Sequence, residues 1–266
     1  MKFSNFFAIL ISALILTSCS EYQKVLKESD VKKKYEYAEN LYNEGEYKKA
    51  IRLFEQIVPS YIGKPQGERI IYFYADAYYQ TGQYYLSSYQ FERFYKSYPR
   101  SEKAEEAAFL GAKSEYLTSP RYSLDQTATM SALNKLQVFI NMYPESQYVD
   151  EANAMIEDLR SKIEKKAFEI AKQYNRISDY FASIKAFELF LKEYPGSVYR
   201  EDALYYQFLA SYNLAVNSVY SRREERLETA KENYLTLVEN YPESEYRKEA
   251  DALASDIEYQ LENYSK

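Results

Sequence analysis

The sequence predicts an all-α fold, a superhelical solenoid of about five helix pairs closed by a C-terminal capping helix. Three observations predict it. The 266 residues include only six Gly and seven Pro, too few for the turn every ~8–12 residues that an all-β chain needs. A Tyr-Pro-x-Ser motif recurs at residues 98–101, 143–146, 194–197 and 241–244, with a degenerate copy at Tyr61-Ile62. Small and apolar residues precede every copy at fixed offsets with helical spacing.

At the N-terminus, Met1-Lys2 is basic and Phe6 to Leu16 is apolar apart from Ser12. A charged start, a short apolar run and small residues before a cut describe a secretory signal. The run is well short of the ~20 residues that span a bilayer. Leu16-Thr17-Ser18-Cys19 resembles the bacterial lipobox, and Cys19 is the sole Cys. That resemblance implies a lipidated Cys19 as first residue of the mature protein, stably anchored because each buried methylene adds ~0.8 kcal/mol. Ser20 stands where Asp is the inner-membrane retention signal of enteric bacteria, and no acidic run follows Cys19. The outer membrane, at its periplasmic face, is therefore expected. The anticipated division is residues 1–18 as cleaved signal, 19–29 as lipidated tether and 30–266 as one repeat domain with its C-terminal helix.

The motif copies lie 37, 45, 51 and 47 residues apart. Twelve before the Pro (or Ile62) stand Ala50, Ser87, Ala132, Ser183 and Ala230, all small. Eight before are Phe54, Phe91, Leu136, Phe187 and Tyr234; five before are Ile57, Phe94, Phe139, Phe190 and Leu237. Four before are Val58, Tyr95, Ile140, Leu191 and Val238. These offsets define one helix face, its small residue admitting the paired helix and its large ones filling the layer between pairs. Pro then stops the helix and Ser can cap the next. Ahead of the first two such helices, Gly45 and Gly82 sit where a helix must end with positive φ. With Ala38 and Ala75 seven before each Gly, these units resemble the tetratricopeptide pattern. Later copies lack the Gly and are expected to carry longer connections at Thr118–Gln126 and Tyr220–Arg226, the latter reading as a solvated loop or helix start. The last helix, Ser244–Tyr264, presents Tyr246, Ala250, Leu253, Ile257 and Leu261 as a capping face.

Composition narrows the function. The net charge of −6 and the lack of a Lys/Arg block argue against nucleic-acid binding. No His exists to serve as general base or metal ligand. No phosphate loop or zinc spacing is present. No enzyme, cofactor or metal is expected. The 32 Tyr suit half-buried helix faces and binding surfaces. In the Gly register, one face of the inner helices carries Tyr35, Glu39, Tyr42 and Asn43, then Tyr72, Asp76, Tyr79 and Gln80. Rings beside amides suit an extended peptide, with packing between repeats as the alternative role.

Taken together, the lipobox, the five repeats and the stretch from Ala75 through Phe91-Glu92-Arg93-Phe94 to Pro99 resemble the BamD (YfiO-type) lipoprotein family. Pro120-Arg121-Tyr122 and the run from Ala132 to Tyr148 extend the likeness nearly end to end. The resemblance implies a periplasmic scaffold of β-barrel assembly that docks on an Omp85-type subunit and receives unfolded outer-membrane proteins. It further implies an N-terminal pocket for an aromatic-ended peptide and C-terminal repeats that meet the barrel subunit. Ile62 departs from the motif by replacing a Pro. A periplasmic adaptor of the division or peptidoglycan machinery is the alternative, told apart by septal localisation.

Overall fold

A computed structural model describes residues 21–264. The expected signal and Cys19 lie outside the described residues. Residues 21–27 form α1. Five hairpins follow: α2 (Val31–Asn43) with α3 (Tyr47–Tyr61), α4 (Pro65–Gln80) with α5 (Tyr84–Ser97), and α6 (Ala104–Thr118) with α7 (Thr127–Met142). Then come α8 (Val149–Arg176) with α9 (Tyr180–Glu193), α10 (Arg200–Val216) with α11 (Tyr220–Asn240), and the final α12 (Arg247–Tyr264). The order is that of tetratricopeptide-like repeats, and no strand occurs among the described residues.

The expected single repeat domain divides into two compact units. One runs to Pro120 and resumes over Asp125–Leu159; the other holds Arg121–Leu124 and the chain from Arg160. In the first unit each helix from α2 to α7 packs on the next, and in the second α10 packs on α9, α11 and α12. Most residues the offsets selected lie in the cores, with Tyr234 and, four before the motif, Tyr95, Ile140, Leu191 and Val238 only half-buried. Ala50, Ser87, Ala132, Ser183 and Ala230 are fully buried, as are Phe54, Phe91, Leu136, Phe187, Ile57, Phe94 and Leu237. Burial of each such large side chain stabilises by roughly 1.5–3 kcal/mol. The small positions carry a specific contact too. The Ser87 hydroxyl donates to the Ala75 carbonyl at 3.1 Å and Ser183 to Ala171 at 2.9 Å, locking paired helices at close approach.

Each Tyr-Pro-x-Ser copy builds the same turn. The Tyr N–H still bonds the carbonyl four residues back, and the Ser N–H bonds the Tyr carbonyl at 3.0–3.1 Å in all four. The Ser hydroxyl accepts the N–H two residues on, at 3.0–3.2 Å. Ser thus closes the turn ahead of the helix in place of the expected cap: each helix starts three residues after it, and the N-cap positions Lys103 and Tyr199 have no side-chain cap bond. The Gly turns also hold, with φ of 79° at Gly45 and 73° at Gly82. A third copy needs no Gly: Ser178 has φ 63°, and the bonds Ser178 N–H to Asn175 and Asp179 N–H to Tyr174 match those around Gly45 and Gly82.

Two expectations change. Residues 21–27 are not tether but helix, because Tyr22 and Val25 enter the core of the first unit beside Leu26. Tyr220–Arg226 forms no connection but the first turns of α11. There Val219 is extended, and the Arg223 and Arg226 side chains donate to Ser218, its carbonyl at 3.1 Å and its hydroxyl at 2.5 Å, fixing the helix start. Thr118–Gln126, by contrast, is largely connection between α6 and α7. The capping face of α12 packs as expected, Ala250 and Ile257 buried with Tyr246, Leu253 and Leu261 beside them.

Candidate functional site

The eight residues selected from sequence lie on the first helices of the first two hairpins. Tyr35, Glu39, Tyr42, Tyr72, Asp76 and Tyr79 are half-buried, while Asn43 and Gln80 are exposed. Most form one connected strip between α2 and α4. Glu39 pairs with Arg69, and the Arg69 guanidinium lies 5.1 Å from the centre of the Phe73 ring. Phe73 stacks on Tyr42 at 4.3 Å and 12°. The Tyr42 hydroxyl donates to one oxygen of Asp76 at 2.5 Å, and Gln80 Nε2 donates to the other at 3.2 Å. Tyr35 leans on Tyr61 with centroids 6.0 Å apart. Tyr79 meets Tyr84 edge-on at 5.6 Å.

Burial, then a carboxylate acceptor, sets the acidity of these phenols. Tyr35 is pushed up to about 12 by burial and then by Glu39. Burial and Asp76 raise Tyr42 further, and burial and Glu106 do the same to Tyr72. All three are neutral donors at physiological pH. The Tyr42 and Tyr72 hydroxyls are thereby committed to bonds between helices and that of Tyr35 to Glu39 on its own helix, while parts of the ring faces stay open.

Beside this strip is a groove of 410 Å³. Tyr72 and Phe73 provide its aromatic surface, over the buried Phe94, and Arg69, Glu68 and Lys103 its charged edges. Lys103 Nζ lies 5.5 Å from the centre of the Tyr72 ring and 2.6 Å from a Glu106 oxygen. Cations held against ring faces in this way are attracted by the ring quadrupole and stay available to an acidic partner. Arg69, Phe73, Lys103 and Glu106 were not selected from sequence. Arg69 and Phe73 lie seven and three residues before Asp76 on the same helix face, so extending the register by one turn finds them. Lys103 and Glu106 belong to the next repeat and reach this face only through stacking.

The strip is one case of a wider pattern. Tyr116 of α6 donates to Asp158 of α8 at 3.1 Å, and Tyr212 of α10 to Asp256 of α12 at 2.8 Å. Tyr246 likewise donates to Asp202. Phenol–carboxylate bonds between successive repeats thus account for part of the tyrosine content.

Residues 27–227 match the family profile described as YfiO, outer membrane lipoprotein. The chain belongs to the YfiO family. No match to a curated protein is found. The YfiO match begins at the last residue of α1 and ends within α11, so it takes in both units and the whole candidate face. Among the described residues no helix is long and apolar enough to cross a membrane. An outer membrane lipoprotein, the description this family carries, needs none, because acyl chains hold it.

Proposed function

We propose that this YfiO-family protein is a non-catalytic scaffold of outer-membrane β-barrel assembly. In this reading lipid on Cys19 holds it at the periplasmic face of the outer membrane. It docks on an Omp85-type subunit and receives unfolded outer-membrane proteins. The observation that carries the client-binding part is the groove beside α4, with its aromatic surface and its two cations above ring faces. An extended peptide ending in an aromatic residue fits that chemistry. Its ring would pack on Tyr72 and Phe73, its carboxylate would meet Arg69 or Lys103, and Asn43 and Gln80 would serve its backbone.

Arg69→Glu with Lys103→Glu tests this, with a synthetic peptide copying the last strand of an outer-membrane barrel protein and ending in Phe. Each new Glu faces the former partner Glu39 or Glu106, so melting should fall modestly with helicity kept by circular dichroism, while affinity falls about tenfold or more. Unchanged affinity contradicts the site. For the wider function, depleting the protein should lower the amount of folded outer-membrane barrels. Normal barrel levels after depletion reject the assembly role.

A further inference from the structure

The folded state of α1 has a consequence for where the first repeat stands. Cys19 precedes Glu21, the first helical residue described, by two residues, so their Cα atoms are at most about 7 Å apart. The following seven residues give no slack. Tyr22 and Val25 are buried against the first hairpin, and the Tyr22 hydroxyl donates to the Lys49 carbonyl at 3.4 Å. A free tether over residues 19–29 would instead reach roughly 35 Å, far beyond the ~8 Å over which charges act at physiological ionic strength.

The surface held so close is locally basic. Residues 21–34 hold five Lys against three acids, in a chain of net charge −6. Lys33 pairs with Glu28 and Lys32 with Glu36, at 3.3 and 3.9 Å. Lys24 and Lys27 on α1 and Lys48 and Arg52 on α3 are exposed, Lys48 one turn before Arg52; burial raises the pKa of the Tyr22 phenol while Arg52 and Lys49 pull against it, so these two lie beside α1.

We propose that α1 and the start of α3 form a membrane-facing surface. Lys24, Lys27, Lys48 and Arg52 contact anionic phospholipid headgroups of the leaflet that carries the anchor. The inference rests on lipidation of Cys19. Stem and lysines then act together, the short stem keeping the cations within the surface potential and the cations fixing which side of the first hairpin faces the lipid.

The test uses the full-length lipidated protein reconstituted in vesicles, with a neutral, water-soluble amine-acetylating reagent read out by mass spectrometry. Flotation first reports whether the anchor holds. In vesicles containing phosphatidylglycerol, Lys24, Lys27 and Lys48 should react about fivefold more slowly than in phosphatidylcholine vesicles, and raised salt should cancel the difference. The exposed Lys192 and Lys248 should react equally in both. Flotation with no protection of Lys24, Lys27 and Lys48 overturns the membrane-facing surface alone. Failure to float, together with Cys19→Ala behaving like the natural protein, overturns the anchor and this inference with it.

Discussion

A single serine shows how a turn survives the loss of its usual residue. Ser178 holds φ 63°, a left-handed conformation that a Cβ makes costly. It does so because the surrounding bonds copy those at Gly45 and Gly82 and Asp179 caps the next helix by accepting from Ala182 N–H at 3.1 Å. Replacing Ser178 by Gly should raise unfolding free energy by about 1 kcal/mol, read from urea denaturation. A loss of stability would show that the Ser side chain contributes something the backbone does not explain. This third turn was invisible in the sequence because the signal used there was Gly itself. The eight candidate residues were found because their register counts from a Gly. Their partners Lys103 and Glu106 were not, since they come from the neighbouring repeat, and spacing within one helix says nothing of them. The role of Tyr42 also became clearer. Its ring is stacked and its hydroxyl bonded, so it builds the face as much as it offers one.

Helices were more legible than the links between them. The stripe from small residue to large pair repeats in every second helix of a hairpin, and its members, Tyr234 apart, are buried. Phe94→Ala should therefore cost ~3–5 kcal/mol by leaving a void against Tyr72 and Tyr98. On the same helix Tyr85, 73% exposed, should tolerate Ala within about 0.5 kcal/mol. Similar costs at both positions would contradict the assigned face. α1 was missed although Tyr22, Val25 and Leu26 carry helical spacing, because seven residues are too few for a period to stand out from composition. The start of α11 was left open between loop and helix start because its charges suit both, and it is helix.

The half-buried phenol–carboxylate bonds, within α2 at Tyr35 and between α10 and α12 at Tyr212, add a pH dependence. Tyr35 and Tyr212 are each raised to about 12 by burial and a carboxylate partner. An unfolded phenol ionises near 10, so between about 10 and 12 the unfolded state binds fewer protons than the folded one. Their contribution is complete below pH 10 and is lost as pH climbs through 12. Melting temperature should fall steeply across that window, and a phenolate absorbance titration should show a late fraction. A titration finished by pH 11 with unchanged melting would exclude these phenol–carboxylate bonds.

For the whole molecule, repetition was plain in the sequence, but the division into two compact units was not. α8, with 28 residues, serves both, and nothing in its composition marks Leu159–Arg160 as a border. Each hairpin buries its apolar face only against neighbours, so stability is a sum of local interfaces, and the faces left over are available to partners. For a protein of the YfiO family with an aromatic and cationic groove on one unit, the partners proposed here are proteins. The most direct measurement is affinity purification of the tagged, full-length protein from gently solubilised membranes, with partners identified and quantified by mass spectrometry. The account predicts an Omp85-type barrel subunit recovered in near-equal amount. Recovery of cell-wall synthesis or division proteins in its place, with the barrel subunit at background, would contradict it.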